Sequence, residues 1–244
     1  MTNKRTSCFI FASLMIISFQ SHSLPVDTIQ KFDLRYQLKN TDEKLVDNLG
    51  DNYESLYGVR NFRTVLRGLV YRGGANNAYN KYGKRDNMNP LPDLGIRNLC
   101  SEGFSKSVYL YTTNYESAPK FHNCQNYESV QTRFDYVQMT GRDEKNTEPF
   151  LKMVYDLIQS ESGGPIYLHC WNGWHASGLV SALILRQFCD YSSADALSYW
   201  IRNTDGNSSG YEEIKARIKG FQPLQKFKIS KEIQAQICIG RTAN

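Results

Sequence analysis

The residues best able to do chemistry lie in one short stretch, His169-Cys170-Trp171-Asn172-Gly173-Trp174-His175-Ala176-Ser177-Gly178. Before it, Pro165-Ile166-Tyr167-Leu168-His169 reads as a short buried strand. After it, Ala176 to Cys189 reads as a helix apolar on nearly every side. A cysteine at the end of a strand, followed by a tight loop that opens a helix, has its sulfur near the positive end of the helix dipole. Such a position favours the thiolate. Amides of the loop, Trp171 to Ser177, face the same spot and can cradle an anion such as phosphate. A nucleophile and an anion nest in one turn are what phosphoryl transfer through a cysteinyl-phosphate needs.

The pattern resembles the signature of the cysteine-based protein tyrosine and dual-specificity phosphatases: His-Cys, two residues, Gly, two residues, Arg, then Ser or Thr and Gly. His169, Cys170, Gly173, Ser177 and Gly178 fall in register. Leu69-Val70-Tyr71-Arg72-Gly73-Gly74 looks like the hairpin end that opens compact dual-specificity domains, and Leu94-Gly95-Ile96-Arg97-Asn98-Leu99 like their next strand. The likeness covers residues 60–220, and only the Cys170 loop is specific. It implies Cys170 as nucleophile, His169 as a structural residue bonded to loop carbonyls, and a general acid on a loop upstream. Asp143 is the best placed for that acid, with Glu144 as fallback.

One position departs from the pattern. The resemblance implies an arginine at 176, where the chain has Ala176. That arginine would fork around two phosphate oxygens and strengthen its hold in the transition state. Its loss should cost several kcal/mol, since a single anion-hole donor is worth about 2.7–4 kcal/mol. Two substitutes can be named. His175 lies in a Gly173-Trp174-His175 run similar to the Gly-Trp-Asp of myotubularin-like lipid phosphatases, and as an imidazolium it could hold a phosphate oxygen or protonate a leaving group. Arg142, beside Asp143, could swing over the phosphate. An arginine restored at 176 is expected to raise hydrolysis.

The elements that must position this loop read as an α/β fold, a single domain with a central, mostly parallel sheet flanked by helices. Phe62 to Leu66 and Gly68 to Arg72 read as strands around a turn, Leu94 to Cys100 as a buried strand, and Val108 to Tyr111 and Phe134 to Met139 as further strands. A helix is expected from Thr147, with an apolar stripe of Phe150, Leu151, Val154, Leu157 and Ile158, and two more near Ser193 to Asn203 and Tyr211 to Lys219. Asn76 to Pro92 reads as loop, and the polar stretch up to Gln131 fits nothing regular. The organisation is a signal peptide over 1–23, an N-terminal arm over 24–58 with one helix around Glu43 to Leu49, and the phosphatase-like domain over 59–244.

Lys4 and Arg5 followed by the apolar run Cys8 to Phe19 and Ser21-His22-Ser23 carry the signal reading, which implies a periplasmic or secreted protein. The apolar run would span about 18 Å as a helix, short of a bilayer core, so no stable membrane insertion is expected. Without Lys4 and Arg5 the chain has 27 basic against 24 acidic residues, too mild a balance to argue for nucleic acid. In an oxidising compartment the remaining cysteines, Cys100, Cys124, Cys170, Cys189 and Cys238, leave one unpaired. Cys170 is the natural one to stay free. The other four allow three connectivities, of which Cys100–Cys124 and Cys189–Cys238 is favoured. No metal-ligand spacing joins His122, His169, Cys170 and His175, and no cofactor is expected. Sixteen tyrosines hint at a carbohydrate or aromatic surface. Two functions follow: a phosphatase acting on a phosphorylated small molecule, lipid or protein, or a silent domain that binds such a ligand.

Overall fold

Alternation along the strands sorts the core into two unlike layers. Val70, Val108, Ile166 and Leu168 face one way and join an aliphatic cluster, while Tyr71, Tyr109, Tyr136 and Tyr167 face the other and join an aromatic one. The computed structural model describes residues 25–76, 90–160 and 163–240. The signal-peptide reading and most of the Asn76 to Pro92 loop lie outside these residues.

Six strands form one sheet: β1 (Val59–Leu66), β2 (Val70–Ala75), β3 (Lys106–Tyr109), β4 (Phe121–Gln125), β5 (Gln131–Gln138) and β6 (Ile166–Cys170). Their order is β1-β2-β6-β3-β5-β4. The pairs β2–β6, β6–β3 and β3–β5 are parallel, and the edge pairs β1–β2 and β4–β5 are antiparallel. The helices are α1 (Val26–Tyr36), α2 (Asp93–Ser101), α3 (Thr147–Ile158), α4 (His175–Phe188), α5 (Ser193–Arg202), α6 (Glu212–Gly220) and α7 (Lys231–Ile237). Helices α3 to α7 supply the aliphatic layer, whereas residues of α1 and α2 close the aromatic one. The chain is thus a single α/β domain with a mostly parallel sheet.

Three expected elements differ. Leu94 to Cys100 is not a strand but most of α2, because Ile96, Leu99 and Cys100 recur at helical spacing and turn inward together. The helix expected around Glu43 to Leu49 is absent. There the Asp47 carboxylate accepts from the amides of Leu49, Gly50 and Asp51, an arrangement that competes with helix, and Val46 bridges to Phe62 instead. The N-terminal helix is α1, whose Ile29, Phe32 and Tyr36 pack into the domain. The polar stretch before Gln131 contains β4, an edge strand whose burial alternates between exposed and half-buried. Several of the tyrosines are likewise interior, and Tyr36, Tyr71, Tyr109, Tyr136 and Tyr167 are buried ring against ring rather than offered to solvent.

Two disulfides are present. Cys100–Cys124 ties α2 to β4, and Cys189–Cys238 ties the end of α4 to the end of α7. Cys170 is the free cysteine of the described residues. Because Cys189–Cys238 closes a separation of 49 residues, replacing both cysteines with alanine is expected to lower stability by about 4 kcal/mol. Urea unfolding under non-reducing conditions measures it, and a loss below about 1 kcal/mol contradicts the role.

Candidate active site

What shapes the Cys170 loop is the set of donors that hold its carbonyls. The Ala75 amide donates to the Trp171 carbonyl at 3.0 Å, and the Asn61 side chain donates to that of Asn172 at 2.7 Å. Arg72 Nη2 donates to the carbonyls of Gly173 and, at 3.2 Å, Trp174. The Trp200 indole donates to His175 at 3.2 Å. Five consecutive carbonyls are therefore turned toward β1, β2 and α5. A planar trans peptide sets each following N–H on the opposite side. Among the described residues, no amide from Asn172 to Ser177 donates to a protein acceptor, and the Gly178 amide is the first to do so, to Trp174 at 3.1 Å. No side chain caps the start of α4 either. The result is a run of unspent donors at the positive end of a helix, suited to an anion.

Glycines make this approach possible. Gly173 has φ +77°, and a Cβ there would come within 2.6 Å of the Gly73 carbonyl carbon. A Cβ on Gly74 would meet the Trp171 carbonyl oxygen at 2.4 Å. The pairing of Gly74 with Cys170 in the β2–β6 ladder brings the two segments together.

Cys170 is buried on the aliphatic side of the sheet, its Sγ 3.5 Å from Ser177 Oγ. The Ser177 hydroxyl can donate to a thiolate there. His169 points to the other side, stacked among Tyr109, Tyr136 and Tyr167. Its Nδ1 lies 3.2 Å from the Cys170 carbonyl and so donates, which leaves Nε2 to accept from the Tyr136 hydroxyl at 2.9 Å. Tyr136 in turn accepts from the Leu91 amide. Burial holds the His169 pKa down at about 3, against the smaller upward pull of its bond to the Cys170 carbonyl.

A cavity of about 550 Å³ opens over the cysteine. Cys170, Trp171, Asn172, Trp174 and His175 line it together with Tyr111, Gly206, Asn207, Ser209 and Tyr211. Trp171 stacks on Tyr111 at 4.5 Å, and His175 on Tyr211 at 3.8 Å between centroids. Trp174 is pinned by its indole N–H to Asp205 at 2.8 Å. A slightly larger hollow, about 590 Å³, lies between α3 and α6 beside Leu183, Ala216 and Phe221, with Glu144, Glu213 and Arg217 at its rim but no thiol.

The expected site residues divide. Cys170, Trp171, Asn172, Gly173, Trp174, His175, Ala176 and Ser177 form the loop and the start of α4 as read from sequence. His175 donates from Nε2 to the Asn207 carbonyl at 2.6 Å. Burial lowers its pKa, Arg142 and Arg72 add to that, and the Asn207 bond opposes it, so the neutral ring is favoured over the expected imidazolium. Arg142 is exposed over the Tyr211 ring at 5.4 Å, at the cavity's edge, where its charge acts on both Tyr111 and His175. Asp143 is not among the lining residues. Its carboxylate accepts from the Lys145 amide and pairs with Lys145 Nζ at 3.0 Å, and this bond first of all holds its pKa below the usual carboxylate range. A leaving-group acid needs the opposite shift. Ala176 is fully buried in the first turn of α4.

Sequence reasoning missed the groups behind the loop. Arg60, Arg63 and Arg72 are buried in β1 and β2. Arg60 Nη1 donates to Asn172 Oδ1 at 2.9 Å, and Arg63 pairs with Asp205 at 3.4 Å. A charged residue within a strand of Val70 and Tyr71, just before Gly73-Gly74, was the available signal. No model of a known family matches the chain, and no curated protein does.

The neutral His169 couples the site to pH. Its folded pKa lies below the ordinary imidazole value, so its contribution to stability is present above pH 6.5 and fades as pH falls toward 3. Between pH 8 and pH 5 the native chain should lose about 2 kcal/mol through this residue. His169→Gln, compared by urea unfolding at both pH values, should lose about that much less. Equal losses in the two proteins would contradict the assignment.

Proposed function

We propose that the chain is a cysteine-dependent hydrolase of phosphomonoesters, similar in chemistry to the tyrosine and dual-specificity phosphatases its loop resembles. The observation that carries this is the free Cys170. Of the five described cysteines four are spent in disulfides, and the fifth lines the cavity beside Ser177, next to a loop whose amides from Asn172 to Ser177 have no protein acceptor among the described residues.

The reaction has two steps. The Cys170 thiolate attacks phosphorus, a sulfur–phosphorus bond forms, and the ester phosphorus–oxygen bond breaks, its electron pair leaving on the alcohol oxygen, which takes a proton from water. A second water then attacks phosphorus, the sulfur–phosphorus bond breaks, and inorganic phosphate, the thiolate and a proton are released. The nest amides stabilise charge on the equatorial oxygens in both steps. Among the described residues no carboxylate lines the cavity, and a leaving oxygen that needs no general acid suits such a lining. Phosphates of acidic phenols should react faster than those of alcohols.

The export reading belongs with this proposal. Two disulfides fit an oxidising compartment, and no helix among the described residues is long and apolar enough to cross a membrane. A second reading, a silent domain that binds a phosphorylated ligand, is favoured by Ala176 and by the engagement of Asp143 with Lys145.

Assay on a generic aryl phosphate, phosphoinositides and sugar phosphates separates the two. The native chain should turn over the aryl ester, and Cys170→Ser should fall by on the order of 10³-fold or more. Phosphate binding without turnover by the native chain would favour the silent domain.

A further inference from the structure

Arg72 is fully buried, yet every hydrogen-bond partner it has among the described residues is neutral. They are the Tyr199 hydroxyl at 3.2 Å, the carbonyls of Gly173 and Trp174, and Ser177 Oγ at 3.4 Å. Among the described residues no ion pair reaches it. Asp205 is shared between Lys44 at 2.8 Å and Arg63 at 3.4 Å, and Asp42 also acts on Arg63. Burial lowers the pKa of Arg63 to about 10, and the charge of Arg72 is the second cause. Arg72 is therefore a cation in a poorly solvated place with no charged partner among the described residues. A buried cation without a counter-charge is strongly destabilising.

The groups that could supply the counter-charge lie directly in front. Ser177 Oγ is 3.4 Å from Arg72 Nη2 and 3.5 Å from Cys170 Sγ. A hydroxyl that accepts from the guanidinium keeps its proton to donate to sulfur. The amides that follow the carbonyls held by Arg72 face the anion side.

We propose that Arg72 is the positioning residue that stands in for the arginine absent at 176, fixing two loop carbonyls from behind and balancing its charge against the Cys170 thiolate and an anion in the nest. It keeps the charge that an arginine at 176 would bring but gives up the fork around the phosphate, because the loop lies between it and the ligand. Its bearing on catalysis rests on the hydrolase reading, while its effect on the thiol and on anion binding does not.

The test uses the disulfide-bonded chain, iodoacetamide alkylation of Cys170 at pH 6 followed by peptide mass mapping, and inorganic phosphate as protecting anion. Arg72→Met should slow alkylation about tenfold and weaken phosphate protection about tenfold, while Arg72→Lys stays within about threefold of the native chain. Native rates and protection in Arg72→Met overturn the proposal. An equal fall in Arg72→Lys with an unchanged melting temperature overturns the charge balance and leaves only the hold on the loop carbonyls. If Arg72→Met does not fold, Ser177→Ala decides: alkylation slowed about threefold supports the relay, and an unchanged rate overturns it. Slowed alkylation with no ester turnover in the native chain would retain Arg72 and remove the hydrolase. Turnover lost in Cys170→Ser but native alkylation in Arg72→Met would do the reverse.

Discussion

Everything proposed for this protein depends on the orientation of five peptide groups. The carbonyls of Trp171 to His175 are each held by a donor from β1, β2 or α5, and planarity leaves the next amide no choice of side. The donors come from residues 61 to 75 and 200, far from the loop in sequence, so the site exists only when the sheet is assembled. Parallel pairing of β2 with β6 does that work, setting Gly74 against Cys170 and Arg72 against Leu168. The glycines at 73, 74 and 173 permit the contact, and the side chains of Asn61 and Arg72 lock it.

Electrostatics then gives the loop its preference. Three buried arginines stand behind it, Asp205 and Asp42 act on Arg63, and among the described residues the amides ahead of it have no protein acceptor. The proposal sets negative charge on the cavity side, from a thiolate, a ligand or both, against Arg72. The same reasoning explains why His175 is held neutral: a half-buried ring between Arg142 and Arg72 is a poor place for another cation. The disulfides add a chemical partition, removing four of the five described cysteine sulfurs from reaction and leaving the one at the helix terminus.

Much of the frame was legible from periodicity. Strands β1, β2, β5 and β6 and helices α3 to α6 carry clear period-2 or period-3.6 patterns, and the disulfides formed are the pairing favoured among the three that sparing Cys170 leaves. Helix α2 was misread because Leu94 and Ile96, two residues apart, mimic alternation while the burial runs through Ile96, Leu99 and Cys100. Helix α1 was missed because its stripe of Ile29, Phe32 and Tyr36 is thin amid polar residues. In the site, the loop was readable because its residues are contiguous. Arg72 was not, because its partners lie 101 and 105 residues away and its significance appears only once β2 lies beside β6. Asp143 matched by position in the chain, but a local bond to Lys145 decides where its carboxylate points.

The central claim is that the amides from Asn172 to Ser177 form an anion site above Cys170. Titration of the ¹⁵N-labelled, disulfide-bonded chain with inorganic phosphate, followed by amide chemical shifts, tests it most directly. Saturable shifts concentrated on those six amides are expected, with chloride at equal ionic strength leaving them in place. Phosphate shifts scattered over surface lysines, with those amides unmoved, would contradict it.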